Sequence, residues 1–363
     1  MLHRLVGFGM GGRLVFPSVP AKWYTPPRPP MRKTYSCLTA FCLIAAVFSL
    51  TACAVSPHEP SEKYVLVTTN TKVPYWQNAF AGLSRATAEM KVKGEMAGPD
   101  TYDPKAEHTE FQRIVAQKPA GILVSAADAA IMTPDIDAAL NAGIPVITID
   151  SDAPQSKRLL FVGTDNYHAG TLGGKLVAKL LNGKGNLVVF TMPEQPNLKD
   201  RLHGYEDALA ETPGIKISQV VDIKGEPTVA FDTTESLLNG KNKIDGFVCL
   251  EAIACPEVGD MVNRKHLGGQ VVIVAMDTDP RTIDWIQKGV ISATIAQKPY
   301  TMAYFGTKLI ADIHLHPPSP LANTWTESPV APLPTFVDTG TFIIDKTNVD
   351  SYLQQTKSTA GSH

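Results

Sequence analysis

The sequence predicts an α/β protein built as two doubly wound parallel-sheet lobes. Three observations lead there: short runs apolar on both faces, helical segments alternating with them, and a restart of that alternation half-way along the chain. Strands that are apolar on both sides belong in parallel sheets covered by helices on each face. Two sets of about five strands suit two lobes better than one oversized sheet.

The elements follow in order. The first set of strands is YVLVTT (64–69), the weaker GEMAGP (94–99), GILVSA (121–126), PVITID (145–150) and LLFVGT (159–164). Between them, Phe80, Leu83, Thr87 and Met90 recur at helical spacing within 77–91, and Phe111, Ile114 and Val115 mark the next helix. The second set is NLVVFTM (186–192), KISQVVDI (216–223), DGFVCL (245–250), VVIVAMD (271–277) and ISATIA (291–296). Helices are expected near 166–182, 197–211, 228–239, 254–265, 280–288 and 299–314. Residues 315–335 are rich in Pro and Ser, VDTGTFII (337–344) reads as one last strand, and the remainder as a ragged C-terminus.

Composition narrows the function. The chain has 363 residues, 44% hydrophobic and 19% charged, with a formal net charge of −2. That is enough apolar material for two cores, and no charge excess points to nucleic acid or a membrane surface as partner. Five cysteines include no C-x-x-C pair. Cys37, Cys42 and Cys53 lie in the leader; Cys249 and Cys255 lie in the body, where a bridge between them is open but separately buried thiols are the commoner arrangement.

The leader reads as an export signal. Arg32 and Lys33 precede the apolar run 38–50, which ends in small residues and is too short for a membrane span. Leu50-Thr51-Ala52-Cys53 resembles a bacterial lipoprotein box, so acylation is expected at Cys53, each buried CH₂ contributing ~0.8 kcal/mol to anchoring. Residues 1–52 are then leader, with Met31 the expected start, and 53–62 a Pro-containing tether. Gly7, Gly9 and Gly12 satisfy G-x-G-x-x-G, but no strand precedes them and no helix follows, so the dinucleotide context is missing.

No catalytic constellation emerges. G-x-S-x-G and H-E-x-x-H are absent, and Gly170, Gly173 and Gly174 fall inside a predicted helix. His314 and His316 are expected on a surface loop rather than on a metal. No enzyme activity, cofactor or metal is expected.

Ligands of open parallel sheets bind at the carboxyl ends of the strands. Those ends carry Pro74-Tyr75-Trp76, Asp150-Ser151-Asp152, Glu251, Asp277 and Gln297, with Asn197, Lys199, Asp200 and Arg201 at a helix start and Phe231 after VVDIKG. Carboxylates, amides and cations satisfy hydroxyl groups, and flat rings pack on the C–H faces of a sugar. Singly, each has a plainer explanation. A strand-end Asp often caps the next helix, Glu251 could be a solvated loop residue, Phe231 a core residue, and Arg201 a partner on its helix surface. Two large aromatics on a turn, beside a helix that already has an apolar stripe, are harder to explain that way.

The pieces KVPYWQNAFAG, GIPVITIDSDAP, FVGTDN, NLKDRLHGYEDAL, VAMD and SATIAQKP occur in this order. Through them the chain, from about residue 63 to 350, resembles the ribose-type (type I) periplasmic sugar-binding proteins, the solute receptors of carbohydrate ABC importers. The resemblance implies two lobes joined by a three-strand hinge. On that plan the N-terminal lobe takes 63–164 plus 298–334, and the C-terminal lobe 165–297 plus 335–355. It implies that Tyr75 and Trp76 stack on one sugar face and Phe231 on the other, that Asp150 and Asp277 bind hydroxyls, and that Gln297 sits beside the hinge. Lys199 falls where many members have a sugar-binding arginine, with Asn197 and Arg201 as nearby alternatives. The chain departs from the pattern at three points: Val73 replaces a polar residue, Ser151 a second arginine of the ribose receptors, and Glu251 a frequent asparagine.

The expected function is therefore an extracytoplasmic, monomeric lipoprotein that binds a pentose or hexose and docks on an ABC permease, with a sugar other than ribose favoured. The alternative is a sensor receptor for a sugar, cyclitol or quorum signal; an NAD-type oxidoreductase ranks below both. A sugar-responsive repressor would need a helix-turn-helix where this chain has its export signal.

Overall fold

The structure is a computed structural model that describes residues 57–360. The expected acylation at Cys53 and the leader lie outside the described residues.

Two six-stranded sheets organise the chain. The first contains β1 (Lys63–Val67), β2 (Lys93–Ala97), β3 (Gly121–Val124), β4 (Val146–Ile149), β5 (Phe161–Gly163) and β11 (Phe336–Asp338), in the order β11-β5-β4-β3-β1-β2. The second contains β6 (Gly185–Thr191), β7 (Ile215–Asp222), β8 (Gly246–Cys249), β9 (Val272–Met276), β10 (Ala293–Ala296) and β12 (Phe342–Asp345), in the order β12-β10-β9-β8-β6-β7. The second order repeats the first, with β6–β10 in the places of β1–β5. Pairing is parallel except between β10 and β12. Every residue of β3, β4, β8 and β10 is buried, as strands covered on both faces must be. Each lobe has its own apolar core.

The helices are α1 (Pro74–Met90), α2 (Pro104–Ala116), α3 (Ala129–Asn141), α4 (Asn166–Leu180), α5 (Pro196–Ala210), α6 (Pro227–Asn239), α7 (Ala254–Arg264), α8 (Pro280–Gln287), α9 (Pro299–Leu315) and α10 (Val349–Ala360). Six of them, α1, α2, α5, α6, α8 and α9, begin with proline at the first turn. Proline there has its φ already set and lacks an N–H the helix could not use. The helices consequently start within a few residues of the strand ends, which keeps the loops at the site short.

The chain passes between the lobes three times: from β5 into α4, from β10 into α9, and from β11 to β12. Helix α9 packs on α1 and β3 of the first lobe, and α4 on α5 and β9 of the second. Contact between α4 and α5 is backbone-close. A Cβ on Gly170 would lie 2.0 Å from the Arg201 carbonyl oxygen, so only glycine lets α5 seat there.

The structure corrects five expectations. The single strand at 337–344 is two strands in different sheets, because Asp338 accepts from the Gly340 amide (2.8 Å) and Gly340 turns the chain at φ +75°. The crossing therefore lies after Asp338, and Phe336–Asp338 stays with the first sheet rather than joining the second lobe at 335. The ragged C-terminus contains α10, whose Tyr352 and Leu353 pack against the second core. His314 ends α9 edge-on to the Tyr64 ring rather than in a loop, whereas His316, the cap, is exposed just past the helix as expected and faces Asp312. Finally, Cys249 and Cys255 form a disulfide. Cys255 falls in the first turn of α7, which folds back over the end of β8, so the two sulfurs meet.

Candidate ligand-binding site

The carboxyl ends of both sheets open onto one cavity of about 530 Å³, its mouth included. Tyr75, Trp76 and Asp150 line it from the first lobe, Asn197, Arg201, Glu251 and Asp277 from the second, and Gln297 from the crossing that follows β10.

Asp150 follows β4 and Asp277 follows β9, the equivalent strand of the other lobe. Both have left-handed backbone, φ 61° and 69°. That region costs an L-residue other than glycine ~1–2 kcal/mol, and such conformations cluster at functional sites. The Asp150 carboxylate accepts from Tyr75 Oη (2.6 Å), Ser125 Oγ (3.1 Å) and Asn197 Nδ2 (3.4 Å), the last reaching across from the other lobe. Asp277 accepts from Gln297 Nε2 at 2.9 Å. Glu251 accepts from the backbone N–H groups of Ile253 (2.6 Å) and Ala254 (3.2 Å), and so caps the start of α7.

Burial dominates the electrostatics. It pushes Asp277 up to about 7 against the pull of Arg201 and the Gln297 hydrogen bond, and Glu251 up to about 7 against its two backbone donors. Asp150 is also raised by burial, with Tyr75, Arg201 and Ser125 working the other way. The Arg201 guanidinium, 1% exposed, stands among these carboxyls. Its Nη1 donates to the Leu250 carbonyl and its Nη2 to Asn166 Oδ1 (2.5 Å), while Nε has no partner. Gln297 Oε1 is likewise buried without one. An unmet buried donor or acceptor costs ~1–3 kcal/mol, and both residues line the cavity.

Tyr75 and Trp76 meet edge to face, centroids 5.0 Å apart. They belong to the first turn of α1 rather than to a loop, and Trp76 is buried.

Three expected residues lie elsewhere. Lys199 is exposed: Asn197 and Arg201, four apart on α5, share the face toward the cavity, and a residue midway between them points away. Phe231 sits on α6 under the Arg264 guanidinium, 5.2 Å from its ring centroid, and does not border the cavity. Ser151 is buried behind Asp150, its carbonyl accepting from the Ala126 amide, and does not line the cavity either.

A family model described as a periplasmic binding protein domain matches residues 64–315. The chain belongs to the periplasmic binding proteins. Its relatives put it with the ribose-type sugar-binding members. It is 22% identical to the ribose import binding protein RbsB of Bacillus subtilis over 287 residues, 75% of this chain and 91% of the relative. To the xylose/arabinose-binding protein XylF of Sulfolobus acidocaldarius it is 23% identical over 321 residues, 82% of this chain and 74% of the relative. Among solved structures, the sugar-binding protein of a sugar ABC transporter from Bacillus halodurans is 33% identical with a TM-score of 0.71, over 80% of this chain and 100% of the other.

In this periplasmic binding protein the cavity also takes Tyr102, Gln195, Thr69 and Asn70, which strand-end reasoning passed over. Thr69 and Asn70 stood in plain view beside the aromatic pair. Tyr102 follows β2, the weakest strand of the pattern, and Gln195 immediately precedes the proline that starts α5. Tyr102 also faces Gly225 of the other lobe, where an added Cβ would come within 2.5 Å of its own Cβ.

Proposed function

We propose that this protein is the extracytoplasmic solute receptor of an ABC importer and binds one monosaccharide, a pentose or hexose, between its lobes. One observation carries the reading: Asp150 and Asp277 end equivalent strands of the two lobes and meet around the buried Arg201, beside the Tyr75–Trp76 wall. Paired acceptors on opposite sides of one cavity suit a small molecule with hydroxyls all round its ring. Relatives whose names specify ribose, xylose and arabinose support the same class. Anchoring through an acylated Cys53 belongs to this reading.

Binding works by population shift. Opening about the three crossings separates the half-sites, and a sugar touching both favours closure by its extra contacts in the closed form. The Asn197–Asp150 contact already spans the lobes and adds to that form. Charge-assisted hydrogen bonds with aromatic stacking are compatible with micromolar affinity, about −8 kcal/mol. An epimer that leaves one acceptor unmet loses on the order of 1–3 kcal/mol. The closed, loaded form then docks on a permease, and no bond is made or broken.

Thermal-shift and calorimetric titration with L-arabinose, D-xylose, D-ribose, D-glucose and D-galactose tests this. At least one raises the melting temperature by mass action. No shift and no heat from any of them would sink the proposal.

A further inference from the structure

Cys249 closes β8 and Cys255 lies in the first turn of α7, their Cα atoms 5.7 Å apart across the disulfide. The loop held between them, residues 250–254, is part of the ligand site. The Leu250 carbonyl accepts from Arg201 Nη1. Glu251, Ala252 and Ile253 border the cavity, and the Glu251 carboxylate folds onto the amides of Ile253 and Ala254. One short loop thus positions both the cation of the site and one of its three acids. Helix α7 starts without a side-chain cap from its N-cap residue, Ile253. Leu250 is held by its amide on the Phe190 carbonyl and by Arg201, and beyond it the Glu251 carboxylate fastens the loop to the start of the helix. Both cysteines are buried, and Cys255 Sγ rests on the Val274 carbonyl in β9.

We propose that the Cys249–Cys255 disulfide is a positioning element of the ligand site, holding loop 250–254 so that Glu251 and Arg201 keep their binding geometry. The proposal rests on the binding function above. A ring this short removes little entropy from the unfolded chain compared with a long one, so its effect falls on local openings of the loop. An oxidising compartment outside the cytoplasm preserves such a bridge.

The test compares the full chain with its Cys249→Ala/Cys255→Ala variant by two readouts. Native-state hydrogen exchange at the Ile253 and Ala254 amides is expected to accelerate at least tenfold, with Leu66 in β1 unchanged. Calorimetric affinity for whichever of L-arabinose, D-xylose, D-ribose, D-glucose or D-galactose the wild type binds is expected to fall at least tenfold. Should the variant not fold, wild type reduced with dithiothreitol supplies both readouts. The reagent gives two electrons and two protons, the S–S bond becomes two thiols, and the reagent closes to its own cyclic disulfide; reoxidation must then restore the affinity. Unchanged exchange at Ile253 and Ala254 overturns the proposal, and so does equal acceleration at Leu66, which would make the bridge a general staple. If the wild type binds none of the sugars, the binding function fails and the exchange readout alone decides the role of the bridge.

Discussion

Asp150 and Asp277 occupy matching positions in the two lobes, each one residue past its strand and each at positive φ, 61° and 69°. Glycine would fit either backbone with less strain. A carboxylate held there in both lobes is spending stability on side-chain chemistry.

That relationship predicts a separation of stability from affinity. Asp277→Gly relieves the left-handed backbone and removes a carboxyl whose burial is unfavourable, while Asp150 and Glu251 remain near Arg201. The melting temperature of the ligand-free protein is expected to hold or rise, and calorimetric sugar affinity to fall at least tenfold. Asp150→Ala also loses at least tenfold in affinity without unfolding. Unchanged titrations for both variants would remove these residues from the site.

The approach of Tyr102 to Gly225 predicts a closure defect. Gly225 has φ +77°, and its missing Cβ would strike Tyr102. Gly225→Ala adds about 1–2 kcal/mol of left-handed strain and pushes the lobes apart, so affinity drops roughly tenfold or more. Small-angle scattering with saturating sugar should show the wild type contracting further than the variant. Equal contraction would show that this contact is not part of closure.

Much of this was legible beforehand, for identifiable reasons. Strands such as GILV and VITI are apolar on both faces because they are buried on both faces, so pattern and fold coincide. Asp150 and Asp277 stood out as polar residues ending apolar runs. The choice between Lys199 and Arg201 was decidable too, since helical spacing pairs Asn197 with Arg201. Phe231 failed because its helix face depends on how α6 lies against α7, which local sequence does not encode. Tyr102 was hidden behind the polar edge strand β2 (KGEMA), whose pattern is weak. The disulfide depended on the path of a loop, and six residues of spacing are compatible with many paths.

The raised carboxyls predict a pH dependence. Asp277 titrates near 7 in the folded protein against an ordinary value of 3.8, so between those limits the folded state holds more protons than the unfolded one. Its contribution is fully present below about pH 4, and is lost as pH rises toward 7. Asp277→Asn cannot ionise and escapes that loss. The melting temperature of the variant minus that of the wild type should therefore grow from pH 4 to pH 7 and level off above. A difference that is flat or shrinks over this window would mean that Asp277 ionises freely in the folded protein.

Trp76 predicts an optical signal. Its ring borders the cavity, whereas Trp285 donates to the Pro256 carbonyl under Lys288, and Trp325 packs beside the first core. Among the described tryptophans, then, Trp76 alone borders the cavity, and a sugar bound there would reach it and neither of the others. Sugar binding should shift tryptophan emission in the wild type. Trp76→Phe keeps an aromatic wall and most of the packing, so the protein stays folded and still binds, but the shift disappears. Binding heat that persists while the emission change vanishes is the expected pair of results; a full emission change in the variant would place the sugar away from α1.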